Sequence, residues 1–239
     1  MSGHSKWATI HRKKGLIDAE RGKIFQKLAK EIYVAAKGTN GDPDANPSLR
    51  MVIEKCRSQN MPKDNIQKAI DKAVGSTGGE DFESIRYEGY GPHGIAIMVD
   101  CLTDNRNRTA SLVRSTFTKR GGNLGTDGSV SYLFERKGVI VIEKNDQEDD
   151  IMMTVLDAGA DDFIVNDDTF EIYTTPDTFL AVKEALENMG ITSYITSEIT
   201  YVASNLIELD EESKEKVLNL VDALNELDDV QDVYHNLSE

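Results

Sequence analysis

The chain is poor in the residues that most directly announce chemistry. Its 239 residues include 2 cysteines, 4 histidines, 5 prolines and 1 tryptophan. Cys56 and Cys101 lie far apart among apolar neighbours, so they read as buried reduced thiols rather than a disulfide framework. None of His4, His11, His93 and His235 has a cysteine close by, and the H-E-x-x-H, C-x-x-C and G-x-S-x-G patterns are missing. That removes the usual zinc sites and the hydrolase nucleophile elbow. The acidic clusters Asp146–Asp150 and Asp161–Asp162 lack the spaced ligands and glycine of an EF-hand and read as solvated loops and helix starts. No apolar run reaches the roughly 18 residues that span a bilayer. The polar, basic opening has no secretory h-region and leaves no room for a transit peptide. The expectation is a cytoplasmic protein with no catalytic residue, metal, cofactor, membrane contact or small-molecule substrate. An enzyme working in an acidic interdomain cleft is the remote alternative, since no metal or nucleophile constellation supports it.

What is abundant is acid, unevenly spread. The formal net charge is −15, yet residues 1–75 carry +7 and the remaining residues −22. A uniformly acidic protein is repelled by phosphate, whereas one with a single basic domain can bind phosphate with that domain alone. The plainer alternative is that the asymmetry only aids solubility.

Hydrophobic periodicity divides the chain. Residues 1–17 are basic without an apolar stripe and read as an arm. Ile24, Phe25, Leu28, Ala29, Ile32 and Ala36 recur at helical steps, predicting a helix over Ala19–Lys37 that Gly38 stops. Asn46-Pro47 caps and opens a second helix reaching Ser58, and Pro62 opens a third that ends at Gly75. A glycine-rich linker follows. Beyond it, strands are predicted at Ile95–Leu102, Val130–Phe134, Val139–Glu143, Asp162–Val165, Thr169–Thr174, Ile191–Ala203 and Val230–His235. Helices are predicted at Asn107–Arg120, Glu148–Ala158, Pro176–Met189 and Glu211–Leu227. Residues 138–203 thus read β-α-β-β-α-β, a complete ferredoxin-like unit. The fold expected is α+β: a basic three-helix domain (1–75), an α/β domain split into 80–134 and 204–239, and a second ferredoxin-like α/β domain (135–203) inserted in it.

Two glycine-rich stretches invite over-reading. Gly89-Tyr-Gly91-Pro-His-Gly94 spells G-x-G-x-x-G, but it precedes a strand where a dinucleotide site needs a helix, and Pro92 removes an amide donor. Gly121-Gly122-Asn123-Leu124-Gly125 has no Walker lysine. The informative stretch is Ser5-Lys6-Trp7-Ala8-Thr9-Ile10-His11-Arg12-Lys13-Lys14. Its cations neutralise phosphates, while Trp7 and His11 can stack on unpaired bases. A disordered basic tail is the bland reading, and the only tryptophan in the chain argues against it. Arg21, Lys23 and Lys27 extend this surface. Arg106, Arg108, Arg114 and Arg120 form a second cluster at the polar junction Asp104–Thr109 and the helix after it, with a capped, solvated helix as the alternative.

These residues carry a resemblance. Ser2-Gly-His-Ser-Lys-Trp7, Asp18-Ala-Glu-Arg-Gly-Lys-Ile-Phe25, Asn60-Met-Pro-Lys-Asp-Asn-Ile66, Tyr87-Glu-Gly-Tyr-Gly-Pro92, Leu102-Thr-Asp-Asn-Arg-Asn-Arg-Thr109 and Gly121-Gly-Asn-Leu-Gly125 resemble the YebC/PmpR family. The family pattern has glycine at His93 and alanine at Gly15 and Cys56. The resemblance implies three domains, the first helical and the others α/β. It also implies cytosolic regulators labelled transcriptional, a mitochondrial relative that activates translation of cytochrome c oxidase subunit I, and a link to the ribosome and relief of stalling. It implies no catalytic residue. The function expected is a nucleic-acid-binding regulator of gene expression, foremost a ribosome-associated translation factor contacting ribosomal RNA. A DNA-binding transcriptional regulator is second, because no recognition helix rich in Arg, Asn and Gln stands out.

Overall fold

The computed structural model describes residues 18–75 and 81–238. Three helices, α1 (Asp18–Ala36), α2 (Pro47–Ser58) and α3 (Lys63–Val74), pack around Leu28, Ile32, Ala36, Leu49, Ile53, Cys56, Ile66 and Ile70. The predicted cap on α2 forms: Asn46 Oδ1 accepts from Leu49 N at 3.1 Å, and its Nδ2 donates to the Ala35 carbonyl at 2.8 Å, tying α2 to α1. The predicted basic arm lies outside the described residues.

The rest of the chain builds two antiparallel sheets. In chain order they draw on β1 (Glu83–Tyr90), β2 (Ala96–Thr103), α4 (Arg106–Lys119), β3 (Asn123–Leu124), β4 (Phe134–Glu143), α5 (Glu148–Asp157), β5 (Ala160–Val165), β6 (Thr169–Thr174), α6 (Phe179–Asn188), β7 (Thr196–Ala203), α7 (Glu211–Asn225) and β8 (Val230–His235). The second sheet has the order β5-β6-β4-β7, the 4-1-3-2 arrangement of a ferredoxin-like unit read in reverse. Its core joins Ile140, Ile142, Phe170 and Ile172 to Ile151, Val155, Val182 and Leu186 of α5 and α6. The first sheet, β3-β1-β2-β8, takes its last strand from the far end of the chain. Ile97, Val99, Val113, Phe117, Val217, Leu220 and Leu224 form the core between this sheet and helices α4 and α7. The second unit is therefore inserted between β3 and α7.

The first sheet differs from the sequence expectation in three places, one being the two-residue β3, which no hydrophobic run announced. β1 was not anticipated: Glu83, Arg86 and Glu88 break its hydrophobic pattern, but each has a place in the sheet. Arg86 pairs with Asp100 opposite it through bonds of 2.7 and 2.9 Å, and its guanidinium lies 4.3 Å from the Tyr201 ring centroid on β7. The predicted strand Val130–Phe134 is instead a turn over Ser131–Leu133 that leads into β4. Glu88 explains it, since its carboxylate takes the amides of Gly128, Val130 and Ser131 at 2.9, 2.8 and 2.7 Å. Amides so engaged cannot join a ladder. The strand predicted over Ile191–Ala203 begins only at Thr196.

Candidate nucleic-acid interface

Helix α1 is amphipathic, and its lysines face the acidic part of the chain. Lys23 pairs with Glu226, and Lys27 Nζ donates to the Asn225 carbonyl at 2.9 Å. Lys30 Nζ donates to the Asp228 carbonyl at 2.8 Å and lies 3.6 Å from Asp229 Oδ1. These acceptors cluster at the C-terminal end of α7, where unpaired carbonyls and the helix dipole favour cations. A second contact is centred on α2. Lys55 Nζ bridges Glu31 and Asp232, each at 2.9 Å, while Glu54 pairs with Lys183 of α6 and with Arg57. Burial opposes the charge on Lys55, but Asp232 and Glu31 outweigh it and hold the ammonium well above its ordinary range. The helical domain thus meets both α/β units through ion pairs, at Asp232 of β8 and at Lys183 of α6.

The polar junction at Asp104–Thr109 turns out to be an elaborate helix start. Asn105 caps α4 by accepting from Arg108 N at 3.0 Å, and the Thr103 hydroxyl accepts from Asn105 N at 2.9 Å. Arg108 Nη2 reaches both Asp104 and Asp229 at 2.7 Å, and the Thr109 hydroxyl donates to Asp229 at 2.8 Å. Burial pushes the Asp229 carboxyl up, but the bonds from Arg108 and Thr109 outweigh it and leave it below the usual range.

The expected nucleic-acid residues therefore fall into three groups. Lys6, Trp7, His11, Arg12, Lys13 and Lys14 lie outside the described residues. Lys23, Lys27 and Arg108 are engaged within the chain, joining the helical domain to the end of α7 and joining α4 to Asp229 just before β8. Arg21 on α1 and Arg106, Arg114 and Arg120 along α4 and at its end are exposed, as Lys23 and Arg108 are, and Arg21 also makes an interaction. Among the described residues, Arg108 and Lys30 converge on Asp229, close in sequence to the Asn225 and Glu226 that hold Lys27 and Lys23. Sequence reasoning missed Lys30, Asp229 and Glu88, whose partners are distant in the chain. It also missed Tyr90 and Tyr132, which stand at the surface beside the second glycine stretch. The first glycine stretch forms a turn at Pro92–Gly94, with His93 at φ 59°, a left-handed conformation that glycine adopts without cost.

Among the described residues, no group of three or more His, Cys, Asp or Glu could hold a metal ion, and no helix is long and apolar enough to cross a membrane.

Comparison with known proteins agrees with this architecture. A probable transcriptional regulatory protein of Geobacillus thermodenitrificans is 55% identical over 242 residues, covering 100% of this chain and 98% of the relative. Bacillus subtilis YrbC, of the same description, is 51% identical over 99% of both chains. The crystal structure of a conserved hypothetical protein, Aq1575 from Aquifex aeolicus, superposes with a TM-score of 0.82 at 46% identity, covering 98% of this chain and 96% of that one. The model of the TACO1/YebC N-terminal domain matches residues 5–76, and that of the TACO1/YebC second and third domain matches residues 82–237. With the two models matched in chain order, and relatives of half identity sharing the whole length, the chain belongs to the TACO1/YebC family.

Proposed function

We propose that the chain is a nucleic-acid-binding regulator of gene expression that acts as a ribosome-associated translation factor, contacting ribosomal RNA and relieving stalling. The observation that carries this reading is the segregation of charge, +7 in residues 1–75 against −22 in the remainder. Such a chain meets a polyanion with one end and is repelled along the rest. In this reading Lys6, Arg12, Lys13 and Lys14 take phosphates, Trp7 and His11 stack on unpaired bases, and Arg21 continues the surface onto α1. Arg106, Arg114 and Arg120 provide a weaker second strip along α4. Lys23, Lys27 and Arg108 reach phosphate only by giving up their partners in the chain. An arm mixing cations with an indole suits irregular RNA better than a duplex groove. The ribosomal assignment itself rests on the family resemblance.

The second reading is a DNA-binding transcriptional regulator, favoured by the description given to the relatives in Geobacillus and Bacillus. Ribosome co-sedimentation and promoter-DNA binding, both across a salt series, separate the two. Ribosome binding should weaken with salt, and Lys13→Glu with Lys14→Glu should lower the log–log slope by about one per lost contact. Salt-insensitive binding would sink both readings, and promoter binding without ribosome binding would select the second.

A further inference from the structure

Tyr132 is 70% exposed, the most exposed large hydrophobic side chain among the described residues. Tyr90, at the end of β1, is also exposed; its hydroxyl donates to the Ser129 carbonyl at 3.2 Å and lies near that of Tyr132, which raises its pKa. The tyrosines are built in. Tyr132 occupies the turn Ser131–Leu133, which the buried Glu88 carboxylate fixes through Gly128, Val130 and Ser131. Burying a carboxylate is costly unless several donors meet it, and here the result is a rigid turn that presents an aromatic ring to water.

The glycines beside this turn are close-approach residues. A Cβ on Gly122 would sit 2.9 Å from the Tyr90 carbonyl oxygen, and one on Gly89 would sit 2.6 Å from the Asn123 carbonyl oxygen. The main chain can therefore bring the end of α4, with exposed Lys119 and Arg120, against the end of β1 that carries Tyr90. Asp127 and Glu135, near Tyr132 in sequence, repel phosphate, so a strand lying on these rings would run its backbone on the α4 side.

We propose that Tyr90 and Tyr132 form a stacking platform for unpaired bases of a single-stranded nucleic acid, with Lys119 and Arg120 taking the adjacent phosphates. The platform rests on the nucleic-acid reading above and adds a surface distinct from the N-terminal arm. Two rings held rigid pay little ordering entropy on binding, and stacking tolerates any base.

The test uses the full chain with a labelled single-stranded oligoribonucleotide and the same sequence as a duplex, at fixed and at varied salt. Tyr132→Ala should weaken single-strand binding roughly 5- to 150-fold, the range of one lost stack. It should leave duplex binding, the salt slope and the melting temperature unchanged, because the ring is solvent-exposed and uncharged. Tyr132→Phe should bind like the parent. Wild-type affinity in Tyr132→Ala, equal losses for single strand and duplex, or an equal loss in Tyr132→Phe would each overturn the platform. In all three cases salt-dependent binding by the parent would leave the broader reading standing. A parent chain that binds neither form would overturn both.

Discussion

Glu88 permits a quantitative test of how the turn bearing Tyr132 is held. It is 6% exposed; Oε1 accepts from Gly128 N at 2.9 Å, and Oε2 accepts from Val130 N at 2.8 Å and Ser131 N at 2.7 Å. In Glu88→Gln, the better amide orientation keeps its oxygen on Val130 and Ser131 and turns its NH2 toward the Gly128 N–H. One charge-assisted bond is lost, two become bonds to a neutral acceptor, and two donors face each other. With bonds to a charged group at about 1.5–3 kcal/mol and neutral ones at about 0.5–1.5, the expected cost is about 2–4 kcal/mol once the cheaper burial of an amide is allowed for. The assay is denaturant unfolding at pH 7, with hydrogen exchange at the amides of Gly128, Val130 and Ser131. The variant should unfold at lower denaturant, and those three amides should lose protection. The pH dependence follows from the same contacts. Burial alone would raise the Glu88 carboxyl, but the amides of Val130, Gly128 and Ser131 outweigh it and hold it below the ordinary value of 4.5. Its stabilisation is fully present above that value and is lost as pH falls through the lower folded value. A glutamine variant within about 0.5 kcal/mol of the parent, a change typical of neutral surface substitutions, with unaltered exchange would refute the account.

Four further outcomes are expected. Gly138→Ala drives a Cβ against the Thr174 hydroxyl and to 2.6 Å from Phe179 Cδ2, so it should destabilise the second sheet by about 1–3 kcal/mol in denaturant unfolding; an unchanged midpoint counts against that packing. His93→Gly relieves a φ of 59° and should stabilise by about 1 kcal/mol, read as a rise in melting temperature. Burial pushes the Cys56 and Cys101 thiols up to about 12, so alkylation at pH 8 should be at least about 100-fold slower in the native protein than in denaturant; similar rates would show open thiols. Lys30→Glu sets a carboxylate beside Asp229 and removes the donor to the Asp228 carbonyl, and should speed hydrogen exchange in α1 and at the end of α7.

Local signals made the three helices and the inserted sheet legible. Asn46, Pro47 and Gly75 punctuate the helices, and Ile140, Ile142, Phe170 and Ile172 lie in strands whose apolar runs stand out. β1 escaped because two of its charges are answered by partners elsewhere in the chain, Arg86 by Asp100 on β2 and Glu88 by the amides of Gly128, Val130 and Ser131. The turn at Ser131–Leu133 escaped because an apolar run outweighed a carboxylate more than 40 residues earlier. The same physics limited the reading of the site. Lys23 and Lys27 look like phosphate ligands in a basic helix, but Glu226 and the Asn225 carbonyl, 203 and 198 residues away, come back to meet them. Arg108 likewise finds Asp229 at a separation of 121. Charge clusters reveal where cations are, but only the closed fold reveals which anions already hold them.

The pairing of Phe134 with Ala203 at the edge of the β4–β7 ladder has a consequence for how this chain is made and how it could be altered. The inserted unit leaves and re-enters its host at two points lying side by side on neighbouring strands. Once that unit has folded, it acts as a knot tied in a string, shortening the free chain between β2 and β8. Halving a loop relieves only about 0.6 kcal/mol, so the host gains little stability from this. What it gains is independence, because four contiguous strands with their own core can form as soon as they are synthesised, while the first sheet still waits for β8. Ends that meet in this way would let a short turn close the host chain, but the host would then lose what it packs on the insert: Arg86 on Tyr201, Glu54 with Lys183, and the cluster joining Ala96 and Met98 to Phe134 and Ala203.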